Sequence, residues 1–109
     1  MTYEEINTMI ESIGVEYAYY QFPEGTEVAP PFICFYYPEQ DGFYADNIDY
    51  AKQERLIIEL YTNEKDFELE DRIRVVLNEN EIPFSRYESY IDTEQLYMNT
   101  FESEVFING

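Results

Sequence analysis

The sequence has no histidine and no tryptophan, a single cysteine, and few residues of positive charge. Without imidazole, the chain lacks the usual general base, the commonest metal ligand and every catalytic triad that depends on histidine. The lone Cys34 excludes an intramolecular disulfide and every standard cysteine-rich zinc site. The four glycines are scattered singly, so no Gly-rich phosphate loop is present. These absences predict a protein that is not an enzyme.

Carboxylate groups are so abundant that finding two of them close together does not indicate a functional site. Among 24 Asp and Glu residues some pair lies close together in any fold, so two neighbouring acids do not indicate acid–base catalysis. Asp41, Asp46 and Asp49 carry oxygen ligands that suit calcium, but their spacing does not match an EF-hand loop. Lys52 and Lys65 lie in no recognisable nucleophile context. We therefore predict no catalytic, cofactor-binding or metal-binding residue.

The formal net charge is −18, from six Lys and Arg against 24 Asp and Glu. Binding to nucleic-acid phosphates requires cations that displace counterions, and an anionic membrane surface repels a protein of this charge. Solubility alone explains a high net charge, because like-charged molecules stay dispersed. The alternative is a surface that repels DNA or imitates it. Both explanations stay open, and both predict no direct affinity for nucleic acid or membrane.

The composition predicts one soluble domain, residues 1–109. The length is close to the commonest domain size of about 100–150 residues, and the apolar content of 45% argues against disorder. Twelve Tyr and eight Phe make the chain strongly aromatic, which suits half-buried sheet faces and protein interfaces. Cys34 lies in an apolar run, so we expect a buried, unreactive thiol.

Nothing in the sequence predicts a membrane span or export. No segment approaches the roughly 20 apolar residues that cross a bilayer. Residues 1–5 are acidic, where a signal peptide is basic. We expect a soluble protein that is made without export.

Two segments carry the signals of amphipathic helices. The first begins with Thr2 and Glu5, a capping-box pair, and ends at Gly14, a left-handed C-terminal cap. Its apolar stripe has helical spacing and consists of Ile6, Met9, Ile10 and Ile13. The second helix, 66–78, opens on acidic residues that complement the helix dipole. Its buried face is expected to contain Leu69, Ile73, Val76 and Leu77.

Five segments have the composition and alternation of β-strands: 16–22, 32–37, 54–62, 84–91 and 95–107. The third is the clearest, and one of its faces is expected to carry Leu56, Ile58 and Leu60. The last two segments form a predicted hairpin. Within the last segment the apolar residues change parity between Met98 and Phe101, so we expect a bulge or a break there.

The order of elements, α-β-β-β-α-β-β, predicts an α+β fold. Its expected form is a single mainly antiparallel or mixed β-sheet with both helices packed on one face. The opposite face of the sheet would keep many Tyr, Phe and Ile side chains. We therefore expect the protein to form oligomers.

Residues 39–52 have no clean period and contain three aromatic rings. Rings in an irregular loop either cover their own subunit's core or are available to a partner, and the sequence leaves both alternatives open. The second alternative is our interface hypothesis, and it assigns the contact to Phe43, Tyr44, Ala45, Asp46, Asn47 and Tyr50.

Four stretches stand in an order that is moderately specific: Pro30-Pro31-Phe32-Ile33 entering a strand, Phe43-Tyr44-Ala45-Asp46-Asn47 with Tyr50 after it, Glu59-Leu60-Tyr61-Thr62, and Lys65-Asp66-Phe67-Glu68-Leu69-Glu70 followed by Ile73. Together they resemble small prophage-encoded proteins of the tail terminator or tail-completion family of long-tailed phages. Such proteins are also labelled minor capsid or head–tail joining proteins. The resemblance covers most of the chain, from about residue 28 to about residue 105.

The resemblance implies a mixed sheet flanked by helices and a hexameric ring of subunits on the tail. The ring caps the tail tube, stops its polymerisation and docks the head connector. The implied partners are other copies of the chain, the major tail tube protein and the head connector or completion protein. The implied location is the virion, and the host cytoplasm during assembly. The family has no catalytic residues to carry over.

The strongest alternative is an acidic DNA mimic, which inhibits a DNA-binding enzyme by occupying its DNA site. Such a mimic would bind basic partners in a salt-sensitive manner, usually as a monomer or dimer, whereas a terminator would form rings through less salt-sensitive contacts. A third class is a small carbohydrate- or metabolite-binding enzyme that uses carboxylates. That class requires a pocket of convergent polar groups, which a sequence does not show.

Overall fold

Two helices and five strands occur along the chain in the predicted order. The computed structural model describes residues 1–38 and 52–108. The helices are α1 (Tyr3–Glu11) and α2 (Phe67–Glu79). The strands are β1 (Glu16–Tyr19), β2 (Phe32–Tyr36), β3 (Lys52–Thr62), β4 (Phe84–Ile91) and β5 (Leu96–Ile107).

The strands form one five-stranded mixed sheet in the order β1-β2-β3-β5-β4. Only the β1–β2 pair is parallel among the described strands, and residues 20–31 make the crossover connection that a parallel pair requires. The other pairs are antiparallel. The longest pairing joins β3 to β5, from Lys52 opposite Ile107 to Thr62 opposite Tyr97. The β4–β5 pair is the predicted hairpin, and the α+β fold with a single sheet is confirmed.

Both helices pack on one face of the sheet, which we call the helix face. The apolar stripe of α1 and the buried residues of α2 join alternate strand residues in one core: Ile6, Met9, Ile10, Ile13, Leu69, Ile73, Leu77, Ile33, Phe35, Leu56, Ile58, Leu60, Phe101, Val105 and Ile107. Leu56, Ile58 and Leu60 are each 0% exposed, so the predicted alternation of β3 is confirmed. Val76 is only partly buried, at the margin of this core.

Side-chain caps begin both helices where the sequence predicts them. Thr2 Oγ1 accepts a hydrogen bond from the backbone of Glu5 at 3.1 Å, and Glu5 Oε1 accepts one from the backbone of Thr2 at 2.8 Å. This reciprocal pair is a capping box. The prediction that Gly14 caps α1 is wrong, because the helix ends at Glu11 and Ser12 is its C-cap. Gly14 follows two residues later with φ +92°, a conformation that glycine adopts without steric cost. Asp66 caps α2 by accepting from the backbone of Leu69 at 3.0 Å.

The predicted strand 16–22 is too long, because β1 ends at Tyr19. Tyr20 has φ +68°, outside the extended region, and the backbone of Gln21 donates to the carbonyl of Tyr19 at 2.8 Å. The chain therefore turns at Tyr20. The aromatic composition of residues 20–22 imitates a strand because Tyr20 and Phe22 pack their rings against the side chains of β2.

The bulge or break expected in the last strand is wrong. β5 pairs without interruption with β3 from Tyr97 to Ile107 and with β4 from Leu96 to Ser103. The apolar residues change parity because β5 carries apolar side chains on both faces. Phe101 and Val105 join the core, whereas Met98 lies on the opposite face and is partly buried there. A change of parity here marks a strand that carries apolar side chains on both faces.

Candidate functional site

The interface residues proposed from the sequence lie outside the described residues. They are Phe43, Tyr44, Ala45, Asp46, Asn47 and Tyr50. The described parts of the chain present a different candidate surface, the side of the sheet that faces away from the helices.

No described helix or strand packs on this second side, which we call the open face. The strand registers place on it Phe32, Cys34, Tyr36, Arg55, Ile57, Glu59, Tyr61, Tyr87, Met98, Thr100, Glu102, Glu104 and Phe106. Tyr87 is 50% exposed and Phe106 is 58% exposed. The sequence predicts that this side of the sheet retains aromatic residues, and the described residues place them there.

A line of aromatic rings crosses the β2–β3 part of the open face. The rings of Phe22 and Phe32 meet edge to face, with centroids 5.5 Å apart and an interplanar angle of 88°. Phe32 then stacks on Tyr61, its cross-strand partner in β3, with centroids 4.9 Å apart and an angle of 19°. Tyr20 meets Tyr36 edge to face at 5.6 Å. Contacts of this kind hold the rings in fixed orientations.

Glu59 lies among these rings and receives two phenolic hydrogen bonds. Tyr61 donates to Oε1 at 2.9 Å, and Tyr36 donates to Oε2 at 3.2 Å. Burial, reinforced by the charge and hydrogen bond of Glu59, raises the pKa of Tyr36 to about 12. The same causes raise the pKa of Tyr61. The phenols therefore stay protonated, and the carboxylate keeps its donors when water is excluded.

A second acidic group occupies the β5–β4 part of the open face. Tyr87 donates to Glu102 Oε1 at 3.0 Å, and Arg55 lies 3.4 Å from Glu102 Oε2. The hydrogen bond to Glu102, reinforced by burial, raises the pKa of Tyr87. Among the described strand residues of this face, Arg55 is the one cation beside several carboxylates. The surface is thus both aromatic and acidic.

The residues in the middle of the open face are buried, although no described helix or strand packs on them. Cys34 is 7% exposed, Ile57 is 4% exposed and Thr100 is 2% exposed. Burial, reinforced by the nearby charge of Glu59, raises the pKa of the Cys34 thiol to about 11. The expectation of a buried thiol is confirmed. The thiol is protonated near neutral pH, so it is a poor nucleophile.

The most buried charge in the described chain is on the helix face, and no local sequence pattern points to it. Glu70 of α2 is 3% exposed, and both of its oxygens accept from Lys65 Nζ at 2.7 Å. Arg86 donates to Oε1 at 2.6 Å, and Asn99 donates to Oε2 at 3.1 Å. We call these four residues the Glu70 cluster. It joins α2 to β4 and β5.

The Glu70 cluster has the character of a structural network. Glu88 also receives a hydrogen bond from Lys65, which lowers the pKa of Glu88. For Lys65, burial opposes the charged form, but its hydrogen bonds to Glu70 and Glu88 prevail and raise its pKa. Both oxygens of Glu70 and the ammonium of Lys65 are therefore engaged with protein partners. Such a network fixes the docking of a helix.

The described residues hold no cluster of metal ligands. Residues 1–38 and 52–108 include no group of three or more His, Cys, Asp or Glu side chains arranged to hold a metal ion. The helices in these ranges are too short and too polar to cross a membrane. The open face is the best candidate site that the described chain offers.

In comparisons with known proteins, the sequence matches no protein-family model and no curated protein.

Proposed function

We propose that the chain is a non-enzymatic structural protein of a long-tailed phage or prophage, a tail terminator or tail-completion subunit. In this role copies of the chain form a ring, which is hexameric in the family that the sequence resembles. The ring caps the tail tube and joins it to the head connector. The observation that carries the proposal is the open face, an aromatic and acidic sheet surface on which no described helix or strand packs.

The charge of the chain explains why an aromatic surface would mediate assembly. Subunits that each carry −18 repel one another, and salt screens that repulsion only partly at short range. Attraction must then come from burial of apolar area, which contributes about 25 cal/mol per Å². Rings such as those of Tyr87 and Phe106 supply this area, because about half of each is exposed in the single chain.

Two carboxylates of the open face, Glu59 and Glu102, already accept hydrogen bonds from tyrosines of the same chain. An unpaired carboxylate that loses water at an interface is strongly destabilising. Glu59 already accepts from Tyr36 and Tyr61, and Glu102 already accepts from Tyr87. These bonds replace part of the lost hydration, so the face tolerates contact with a partner although it is acidic.

A closed ring uses two different patches of each subunit, because its interface is heterologous. The open face is the first patch in our proposal. The outer edge of β4 is the second, since β4 pairs only with β5 among the described strands and its residues 85–90 are all exposed. Unpaired backbone groups along such an edge are ready to bind another chain.

Net charge also suits a ring through which DNA passes. A wall rich in Asp and Glu repels phosphate and offers few cations that would retain it. DNA would move through such a lumen without direct affinity for the protein. The same charge is the observation that favours the second candidate function, an acidic DNA mimic that inhibits a DNA-binding enzyme.

The decisive experiment is deletion of the gene from the phage or prophage that encodes it, followed by electron microscopy of the particles. We expect abnormally long tails without heads, because nothing stops tube polymerisation or docks the connector. Complementation with the intact gene should restore normal virions. Normal virions from the deletion strain would refute the proposal. Salt-sensitive capture of a basic DNA-handling enzyme by the purified chain would support the mimic instead.

A further inference from the structure

A pocket of about 420 Å³ opens at the β1 edge of the sheet, on the helix face. The described residues that line it are Tyr3, Asn7, Tyr19, Phe35 and Tyr37. Tyr3 and Asn7 belong to α1, Tyr19 to β1 and Phe35 to β2, and Tyr37 comes directly after β2. All of these side chains except Asn7 are aromatic. We call this pocket the tyrosine pocket.

The rings of the tyrosine pocket meet at steep angles. Tyr3 and Tyr37 have centroids 5.2 Å apart and an interplanar angle of 77°. Tyr19 and Phe35 have centroids 5.5 Å apart and an angle of 84°. Tyr19 also contacts Tyr37 at 6.0 Å, and its hydroxyl accepts a hydrogen bond from the backbone of Tyr37 at 3.4 Å. Rings at these angles form the walls of a concavity, whereas parallel rings would form a flat stack.

A carboxylate stands behind the pocket wall. Glu54 of β3 is 8% exposed, and its Oε2 accepts from the hydroxyl of Tyr3 at 2.7 Å. Burial first, and then the neighbouring Tyr3 and Glu54, raise the pKa of Tyr37. The described lining contains no Lys or Arg, and the carboxylate of Glu54 contributes negative potential on the Tyr3 side of the pocket.

We infer that the tyrosine pocket binds a positively charged side chain of a partner protein, arginine in particular. Aromatic faces attract cations through their quadrupoles, and several rings around one cation are the usual arrangement for this recognition. Guanidinium stacks on aromatic rings and is weakly hydrated, so it enters such a pocket more readily than ammonium. The buried carboxylate of Glu54 adds a counter-charge, which a neutral ligand would not require.

The charge of the whole chain supports the same occupant. A molecule of net charge −18 attracts basic partners over distances set by the Debye length. The pocket would supply the specific contact for a basic side chain that this attraction brings near. The inference does not rest on the proposed function, because the pocket lies on the helix face and away from the open face. A chain that forms no ring would still bind arginine. A ring-forming chain that did not bind arginine would refute this inference alone.

The test is a titration of the purified chain, labelled with carbon-13 in its tyrosine rings, and monitored by NMR. The probe is N-acetyl-arginine amide, and the control is N-acetyl-citrulline amide, which has nearly the same shape without the charge. We expect saturable shifts of the Tyr19 and Tyr37 ring signals with arginine, and binding at least about five-fold weaker with citrulline. Equal responses to both compounds, or no saturable shift with arginine, would overturn the inference.

Three variants locate the binding. Tyr19→Leu removes an exposed wall and should weaken arginine binding about five-fold. Glu54→Gln keeps an acceptor for Tyr3 but removes the charge, and it should weaken binding about three-fold. Tyr90→Leu removes a ring of similar exposure on β4 and should leave binding unchanged. Unchanged affinity in both pocket variants, or an equal loss in the Tyr90→Leu control, would contradict the proposal.

Discussion

Glu70 Oε1 lies 2.6 Å from Nη2 of Arg86, and this ion pair joins helix α2 to the edge strand β4. The carboxylate is 3% exposed, whereas the side chain of Arg86 is 38% exposed. Water can therefore replace the lost partner of Arg86 more easily than the lost partner of Glu70. This asymmetry makes the loss of the cation more harmful than the loss of the acid.

Glu70→Gln should destabilise the protein by about 2 kcal/mol, because Lys65 and Arg86 lose their buried counter-charge but relax partly into water. Urea unfolding measures the change in the free energy of unfolding. The matched control is Asp71→Asn on the same helix, since Asp71 pairs with Arg74 at an exposed position. Its expected effect is below about 0.5 kcal/mol. Equal losses from the two variants would show that the Glu70 cluster stabilises the fold no more than an exposed ion pair does.

The Glu70 cluster also shows which features a sequence does not reveal. Capping residues and apolar spacing predicted both helices, and alternation predicted the faces of β3, because these signals are local. The cluster joins Lys65, Glu70, Arg86 and Asn99, which come together only through sheet pairing and helix docking. No local pattern distinguishes Glu70 from the many other acids of the chain.

In the candidate site, too, local features could be predicted from the sequence and contacts between strands could not. The sequence predicts an uncovered aromatic side of the sheet, since β2, β3 and β5 carry more apolar residues than one face can use. It does not predict that Tyr36 and Tyr61 share Glu59, because that contact requires the register between β2 and β3. The sequence hides the turn at Tyr20 for a related reason, as a ring packed on a neighbouring strand has the composition of a strand residue.

Cys34 should react slowly with a thiol reagent in the folded protein and rapidly after unfolding. Burial raises the pKa of its thiol to about 11, so little thiolate exists near neutral pH. The measurement is the rate of colour release from a disulfide reagent, with and without denaturant. Similar rates in the two states would mean that the middle of the open face is accessible, contrary to its burial.

Alkaline pH should lower the free energy of unfolding, because several tyrosines have raised pKa values in the folded protein. The pKa of Tyr36 is raised from 10.0 to about 12, and the pKa values of Tyr37 and Tyr61 are raised as well. A raised folded-state pKa stabilises the protein fully below the unfolded pKa, and that stability is lost as the pH rises through the folded pKa. We therefore expect the free energy of unfolding to fall as the pH increases from about 10 to about 12.

Urea unfolding across that pH range tests this expectation, and phenolate absorbance reports which rings ionise. A Cys34→Ala background removes the thiol, whose pKa is also raised. In that background Tyr36→Phe should make the decline shallower, because one of the phenols with a raised pKa is gone. A decline of the same slope with and without the Tyr36 hydroxyl would contradict the prediction.

The assembly surface is tested by two exposed residues, one inside and one outside the proposed patches. Tyr87 is 50% exposed on the open face, and Val75 is 39% exposed on α2. Tyr87→Glu adds a charge where the proposal places a subunit contact and removes the donor to Glu102. It should abolish complementation of the deletion phage while the monomer stays folded. Val75→Glu adds the same charge to the outer surface of α2 and should complement normally. If Val75→Glu blocks assembly and Tyr87→Glu does not, the contact involves α2 and the open face has another role.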